Sequence, residues 1–495
     1  MSRLATPSVA RCLALVLAIT PACGGDDDDH DHDDDEGDHD HEEADAGGPD
    51  ASTAALAHTL FVAREGSLVS FDVATGEERP GTITDVTGPV DLQALADGKL
   101  MVNLTGRNEI LVFDGRSMLE EARVASSGGG GIRPVHSFLS PSYDGTQYWM
   151  TLNDGEGAPA ENSACLVDVT PGSPSRFDVV GEFALGVGHH KAAYSKTRPR
   201  AVVSNISDCE NVISVYDFSD PADIQVVATL GGADAGFGAE DPGEGNFDPA
   251  FCDPTYQRGL PPAPHGCATS PLSGKTYCNL TSSGAMVAID VDADVPSFTL
   301  LDTDGSGGGY TFAHPDGRHV YTLQESPREG DTGATCQVGA INVTDGMSDT
   351  VVASAPLGYT GPGCEDVLTG TAAATANAGH AFFAADGDLL FVPSSGGFDV
   401  ADARVDKLLV VDTSDPAAPV QLPSIQVGVH TSHSAAALSG DGSTVFVVNA
   451  IDGTVSQIDV ATREVTRTLE VGDDPRVVAT FGTDEGPSYQ TGPIQ

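Results

Sequence analysis

Residues 433–472 read HSAAALSGDGSTVFVVNAIDGTVSQIDVATREVTRTLEVG. A short apolar strand is followed by an S-G-D-G turn, a β-branched strand (444–449), a D-G turn, an alternating strand ending in Ile-Asp-Val, and a fourth strand. Four strands joined by tight turns form one antiparallel blade, which cannot bury both of its faces alone. Working outward, the same order recurs. Second strands read LFVAR (60–64), LMVNL (100–104), YWMTL (148–152), AVVSN (201–205), TYCNL (276–280), HVYTL (319–323), LLFVP (389–393) and VFVVN (445–449), each followed by a third strand such as LVSFDV, ILVFD or KLLVVD. That makes eight units. The first lacks an inner strand, whereas PRVVATFGTDEG (475–486) is an inner strand without a blade. Joining the two closes a ring and removes a free sheet edge. The expected fold is all-β: a β-propeller of eight four-stranded blades within residues 58–495, with seven blades as the alternative count.

Composition agrees. The chain of 495 residues has 58 Gly and 31 Pro, which favours many short strands over a helical bundle. With 23 Lys+Arg against 73 Asp+Glu, the net charge of −50 repels nucleic acid phosphates and anionic lipid and gathers cations. Nucleic acid is excluded as a partner.

At the N-terminus, Arg3 and Arg11 precede the apolar run Cys12–Ile19, too short for a membrane span, and Thr20-Pro21-Ala22-Cys23-Gly24 supplies small residues for cleavage. Residues 1–22 read as an export signal. Ala22-Cys23-Gly24 is similar to a bacterial lipobox, in which Cys23 becomes a lipidated first residue; the alternative is a plain signal peptide with Cys23 unmodified. The expectation is an exported lipoprotein, periplasmic or at the cell surface, touching a membrane only through that lipid, with a monomeric body.

Residues 23–57 form the tail. Its core, DDDDHDHDDDEGDHDHEEAD (26–45), has too little apolar surface to offset the entropy of ordering and is expected to be disordered. His30, His32, His39 and His41 form two H-D-H pairs among carboxylates, a donor mixture suited to zinc or copper rather than calcium. A charged spacer is the plainer reading. An unstructured run of ligands binds several ions weakly and exchanges them fast, which suits collection and delivery.

Ten of the fourteen histidines lie outside the tail. Gly145, Gly274 and Gly442 share the first-turn position of their blades, with Pro199 aligned to them, and His136, His265, His433 and His190 each lie nine residues earlier. His380 lies seven before Gly387, on the same side of the strand by the period-two rule. These positions begin the innermost strand, at the mouth of the central channel, where propellers bind ligands. His136, His190 and His265 come from three consecutive blades and can share one ion; His433 comes from farther round the ring, as a fourth ligand or for a second site. The plainer alternative is a repeated hydrogen bond to a neighbouring blade. His314 and His319, beside the opposite turn, read as surface residues.

Seven cysteines follow Cys23. In an exported protein most pair. Cys267 and Cys278 are symmetric about a turn and read as a cross-strand disulfide, Cys336–Cys364 and Cys209–Cys252 as loop clamps, leaving Cys165 over at the opening of a third strand. The acidic insertion 232–264 reads as a lid or partner loop over the mouth.

Export, a D/H-rich tail and blade openings PVHS, GHHKAAYS, PHGCATS, GHAFFAADGD and HTSHSAAAL together resemble the AztD-type zinc metallochaperones, across nearly the whole body. The resemblance implies Zn²⁺ held by ligands among His136, His190, His265 and His433, capture assisted by the tail histidines, and transfer to the zinc-specific solute-binding protein of an ABC importer, without catalysis. The lipid anchor is not common to every member. Two other readings stay open: a copper-dependent oxidoreductase with a His-lined channel, which the His189-His190 pair favours but the lack of a cupredoxin-like domain does not, and a lipoprotein propeller serving as a protein-binding scaffold. The Gly-rich runs 128–131 and 305–309 lack the following helix that phosphate binding needs, and no hydrolase or P-loop motif occurs in a useful context.

Overall fold

The computed structural model describes residues 56–482, apart from 96, 157–158, 189, 207, 209–210, 232–263, 281–284, 303–309, 325–335, 360–375, 379–380, 397–404, 431–435 and 473. The signal, the tail with its four histidines, the insertion 232–263, His189, His380, His433, Cys209, Cys252 and Cys364 lie outside the described residues. All described residues belong to the compact unit Pro49–Gln495.

The fold is the expected eight-bladed propeller. Blade 8 matches the stretch that revealed the repeat: Ala436–Leu438, Thr444–Asn449, Thr454–Asp459 and Glu464–Glu470 pair in that order. Second and third strands are buried along nearly their whole length, LMVNL and EILVFD among them, because each blade is covered by a neighbour on both faces. Fourth strands such as Leu119–Ala125 face solvent and alternate little.

Ring closure follows the sequence reading. Pro475–Ala479 pairs with Thr59–Arg64 in blade 1, Phe61 opposite Ala479 and Val62 opposite Val478. Phe481 stands edge-on to Phe61, ring centroids 5.7 Å apart, in a core shared with blade 2. In blade 7 the inner strand is split into Ala376–Ala378 and Phe382–Phe383, both paired with Leu389–Gly396.

Two sequence devices recur. Third strands end on an aspartate whose carboxylate caps the following turn: Asp72 takes the amide of Thr75, Asp114 that of Ser117, Asp217 that of Ser219, Asp412 that of Ser414 and Asp459 that of Thr462, at 2.7–3.0 Å. At the mouth, the connection entering a blade brings a glycine against a buried asparagine of that blade. An added Cβ at Gly186 would lie 2.8 Å from Asn205 Cγ, and one at Gly428 would lie 2.6 Å from Asn449 Cγ. That close approach admits no side chain. It sets the path by which the chain arrives at His190.

Cys267 and Cys278 are opposite one another and bridged, as expected. Cys165 is free but does not open its strand: it is the fourth residue of Asn162–Asp168 and packs with Trp149, Val112 and Met101 in the core between blades 2 and 3. Burial pushes its thiol up to about 12. His314, expected at the surface, is instead buried: its Nε2 contacts Gly387 O of the next blade at 3.0 Å and its Nδ1 accepts the Asp316 amide at 3.1 Å. The turn folds back over the ring, and aromatic neighbours Tyr321 and Phe383 seal it.

Candidate functional site

The site is assembled from the first residues of successive inner strands. His136 is the third residue of Pro134–Leu139 in blade 3, His190 opens His190–Tyr194 in blade 4, and His265 precedes Cys267–Thr269 in blade 5. All three are buried, at 6%, 0% and 6% exposure. The mouth position inferred from the nine-residue register is therefore a packed centre, not an open rim.

Each of the first two imidazoles is braced by a carboxylate from the preceding blade. Asp91 Oδ2 of blade 2 lies 3.2 Å from His136 Nδ1 and accepts the Ser137 amide at 2.8 Å. Asp154 Oδ1 of blade 3 lies 2.9 Å from His190 Nδ1 and also accepts the His190 amide at 3.3 Å. His190 Nε2 in turn faces Gly186 O at 2.8 Å, so both nitrogens of that ring meet oxygen acceptors. An ion binding this ring would displace one of them.

Asp91 reaches across because its strand bulges. The pairing with the second strand slips between Val90 and Gln93, and Asp91 adopts φ 51°, a left-handed conformation that aspartate tolerates better than most residues. Burial pushes its carboxyl up to about 6, and the charge of Asp154 adds to this, against the pull of the Lys191 ammonium and the Ser137 amide.

Lys191 completes the centre. It is 3% exposed, with Nζ 3.1 Å from His136 Nδ1 and 5.0 Å from the centroid of the Tyr310 ring. Tyr310, which enters blade 6, also lies against His265, ring centroids 4.7 Å apart, and the His265 amide donates to Asn279 Oδ1 at 3.1 Å. Blades 2 to 6 thus each send at least one inner-strand residue or its neighbour to one place, blade 4 sending both His190 and Lys191.

Of the candidate ligands, the structure brings His136 and His190 into one linked group with Asp91, Asp154 and Lys191, and joins His265 to it through Tyr310. His433 and the tail histidines lie outside the described residues. Imidazoles with Nδ1 on carboxylates have the arrangement usual for metal-ligating histidines. Among the described residues, however, no three His, Cys, Asp or Glu side chains stand close enough together to hold an ion.

Sequence reasoning missed Asp91, Asp154, Lys191 and Tyr310. A signal existed for two of them. Asp91 lies seven residues before Gly98 and Tyr310 seven before Gly317, the same offset that singled out His380 before Gly387. Lys191 is one of five lysines in the chain and follows His189-His190 directly. Asp154 carries no mark beyond ending its strand.

With this geometry in view, solved structures give a likeness of fold. Apo AztD from Citrobacter koseri superposes with a TM-score of 0.52 at 12% identity, covering 88% of this chain and 99% of that one. A second crystal structure of Citrobacter koseri AztD gives the same values. The chain has a distant AztD-like propeller fold. The Pseudomonas aeruginosa periplasmic gluconolactonase PpgL follows, with a TM-score of 0.50 at 15% identity, over 85% of this chain and 98% of that one. No protein-family model matches the chain, and no curated protein matches it.

Proposed function

We propose that the protein is an exported zinc carrier: the Asp/His-rich tail gathers Zn²⁺, the centre at the channel mouth holds one ion through His136, His190, His265 and His433, and a zinc-specific solute-binding protein of an ABC importer removes it by ligand exchange. The lipid on Cys23 keeps a monomeric body at a membrane surface, in the periplasm or on the cell exterior. The observation that carries this reading is the pair of buried imidazoles from adjacent blades, each with Nδ1 against a carboxylate of the preceding blade, His136 on Asp91 and His190 on Asp154. Such partners orient a ligating ring and raise its basicity. Zinc needs no geometry imposed by d-electrons and accepts nitrogen and oxygen donors together, which suits an ion that must later leave. The zinc is cargo, and no catalytic step is assigned to it.

The test is chelator competition with zinc and copper on the mature chain, with and without residues 24–57. The expected result is about one tightly held zinc that survives loss of the tail and passes to a zinc-binding solute-binding protein. A tailless body that binds neither metal would make the blade histidines structural and leave a tethered scaffold for proteins. Tight copper with oxidative turnover would favour the copper oxidoreductase.

A second reading has one observation in its favour. Lys191, His136 and Asp91 form a run of titratable groups, the first two buried, at a channel mouth, an arrangement that hydrolytic enzymes also use. Turnover of a sugar lactone by the metal-free chain, lost in Lys191→Met, would support that reading over the carrier.

A further inference from the structure

The centre contains a cation that zinc carriage does not call for. Burying an ammonium is costly unless neighbours compensate, and Lys191 is compensated by the carboxylate of Asp91 and by the face of Tyr310. One of its partners is nevertheless a nitrogen, His136 Nδ1 at 3.1 Å. An ammonium has three donors and no acceptor. Facing it, Nδ1 must be the acceptor, and the neutral ring then carries its proton on Nε2.

Asp91 makes the opposite demand on the same atom. Its Oδ2, 3.2 Å from Nδ1, accepts as a carboxylate and calls for N–H there, which puts the lone pair on Nε2. One nitrogen cannot satisfy both partners. The same Oδ2 also takes the Ser137 amide at 2.8 Å, so Asp91 keeps a partner whichever way the ring is protonated.

From this geometry we infer that Lys191 is a positioning residue that selects the tautomer of His136: in place it holds Nδ1 as acceptor and Nε2 as N–H, and on withdrawing it leaves Nδ1–H to Asp91 and the Nε2 lone pair to an incoming ion. Only this last consequence rests on the zinc-carrier reading. The ring neither gains nor loses a proton; the proton leaves Nε2 and one is taken up at Nδ1. Lysine suits the task because its ammonium is a compact charge on a flexible four-carbon stem, able to leave without disturbing the backbone. A divalent ion beside that ammonium would be repelled, so the blocking tautomer and the blocking charge leave together.

The experiment is long-range ¹H–¹⁵N correlation of the imidazole rings in the metal-free full chain labelled with ¹⁵N-histidine, the His136 ring assigned from its backbone. The wild type should show His136 protonated on Nε2. Lys191→Met should move the proton to Nδ1 and tighten zinc by about tenfold or more in chelator competition. Lys191→Arg, which still donates only, should keep the wild-type pattern. A wild-type ring protonated on Nδ1, or an unchanged pattern in Lys191→Met, would overturn the inference. Should Lys191→Met fail to fold, the wild-type and Lys191→Arg spectra still decide it. If the tautomer shifts as stated but no form binds zinc, the carrier reading fails and the tautomer role of Lys191 stands.

Discussion

His136 and His314 lie at opposite ends of inner strands and are almost equally hidden, at 6% and 5% exposure, yet their surroundings differ in kind. His314 faces the Gly387 carbonyl on Nε2, and its Nδ1 accepts the Asp316 amide. Asp316 Oδ1 also lies 3.2 Å from that Nδ1 but takes the Arg318 and His319 amides, so among the described residues the ring meets no cation and its Nδ1 partners come from its own turn. His136 meets a carboxylate and an ammonium on the same nitrogen, and no one tautomer satisfies both. The first ring is a finished joint between blades 6 and 7. The second meets opposite demands from two other blades, which under the proposed carrier reading gives the ring the two states that accepting and releasing an ion requires. Burial alone therefore does not separate the two rings; the ammonium of Lys191, brought from another blade to His136 only, does.

The sharpest way to break this comparison is to replace rings at both ends. His136→Gln with His190→Gln should weaken zinc binding by at least about 100-fold, since loss of a supporting carboxylate alone typically costs tenfold to a hundredfold. His314→Gln should leave zinc affinity within about twofold and instead lower stability by about 1–3 kcal/mol, the cost of unpaired buried groups. Chelator competition and denaturant unfolding read the two effects separately. Equal losses of affinity from both ends would remove the distinction.

A second contrast concerns the glycines that lead into the mouth. Gly186→Ala would push a Cβ to 2.8 Å from Asn205 Cγ and 2.6 Å from Asp208 Oδ2, so it should cost about 1–3 kcal/mol and disturb the path to His190. Gly66→Ala has open space around it and pays only for its φ of +88°, about 1 kcal/mol. Shifts in the denaturant midpoint measure both. Zinc affinity should fall only for Gly186→Ala.

The smallest expected effect lies at the turns that end third strands. Hydrogen bonds and nearby cations hold the Asp72, Asp168, Asp217, Asp345, Asp412 and Asp459 carboxyls below their ordinary value, and Asp114 is lowered to about 2 by Lys99 and the Ser117 amide and hydroxyl, against the opposing effect of burial. A lowered folded-state pKa means stability that is present above the unfolded value and lost as pH falls through the folded one. The melting temperature should accordingly drop between about pH 4 and pH 2. Asp114→Asn should lower it at neutral pH but make little difference at pH 2. An equal effect at both would show that shape, not charge, holds that turn.

Much of the fold was legible because a repeat states its own period. The D-G and S-G-D-G turns, the buried second strands and the Asp closing each third strand mark the same four-stranded unit again and again, and PRVVA (475–479) supplies what the first unit lacks. The histidine register was legible for the same reason: His136, His190 and His265 do begin inner strands. The partners of those histidines were not. Asp91 is displaced from the common register by a bulge, and Asp154 comes from a second strand one blade earlier. His314 was misjudged because its turn looks exposed in one dimension, whereas the next blade covers it.

The structure decided eight blades over seven; by itself the sequence determined the four-stranded repeat, the way the ring closes, the Cys267–Cys278 bridge and the repeat position at which histidines gather. Those properties depend on patterns a few residues long, read along one chain. Only the tertiary structure decided which charges face which histidine. That choice is made across blade joints, Asp91 to His136 over 45 residues and Lys191 to His136 over 55, and electrostatics between side chains follows distance in space rather than spacing in sequence.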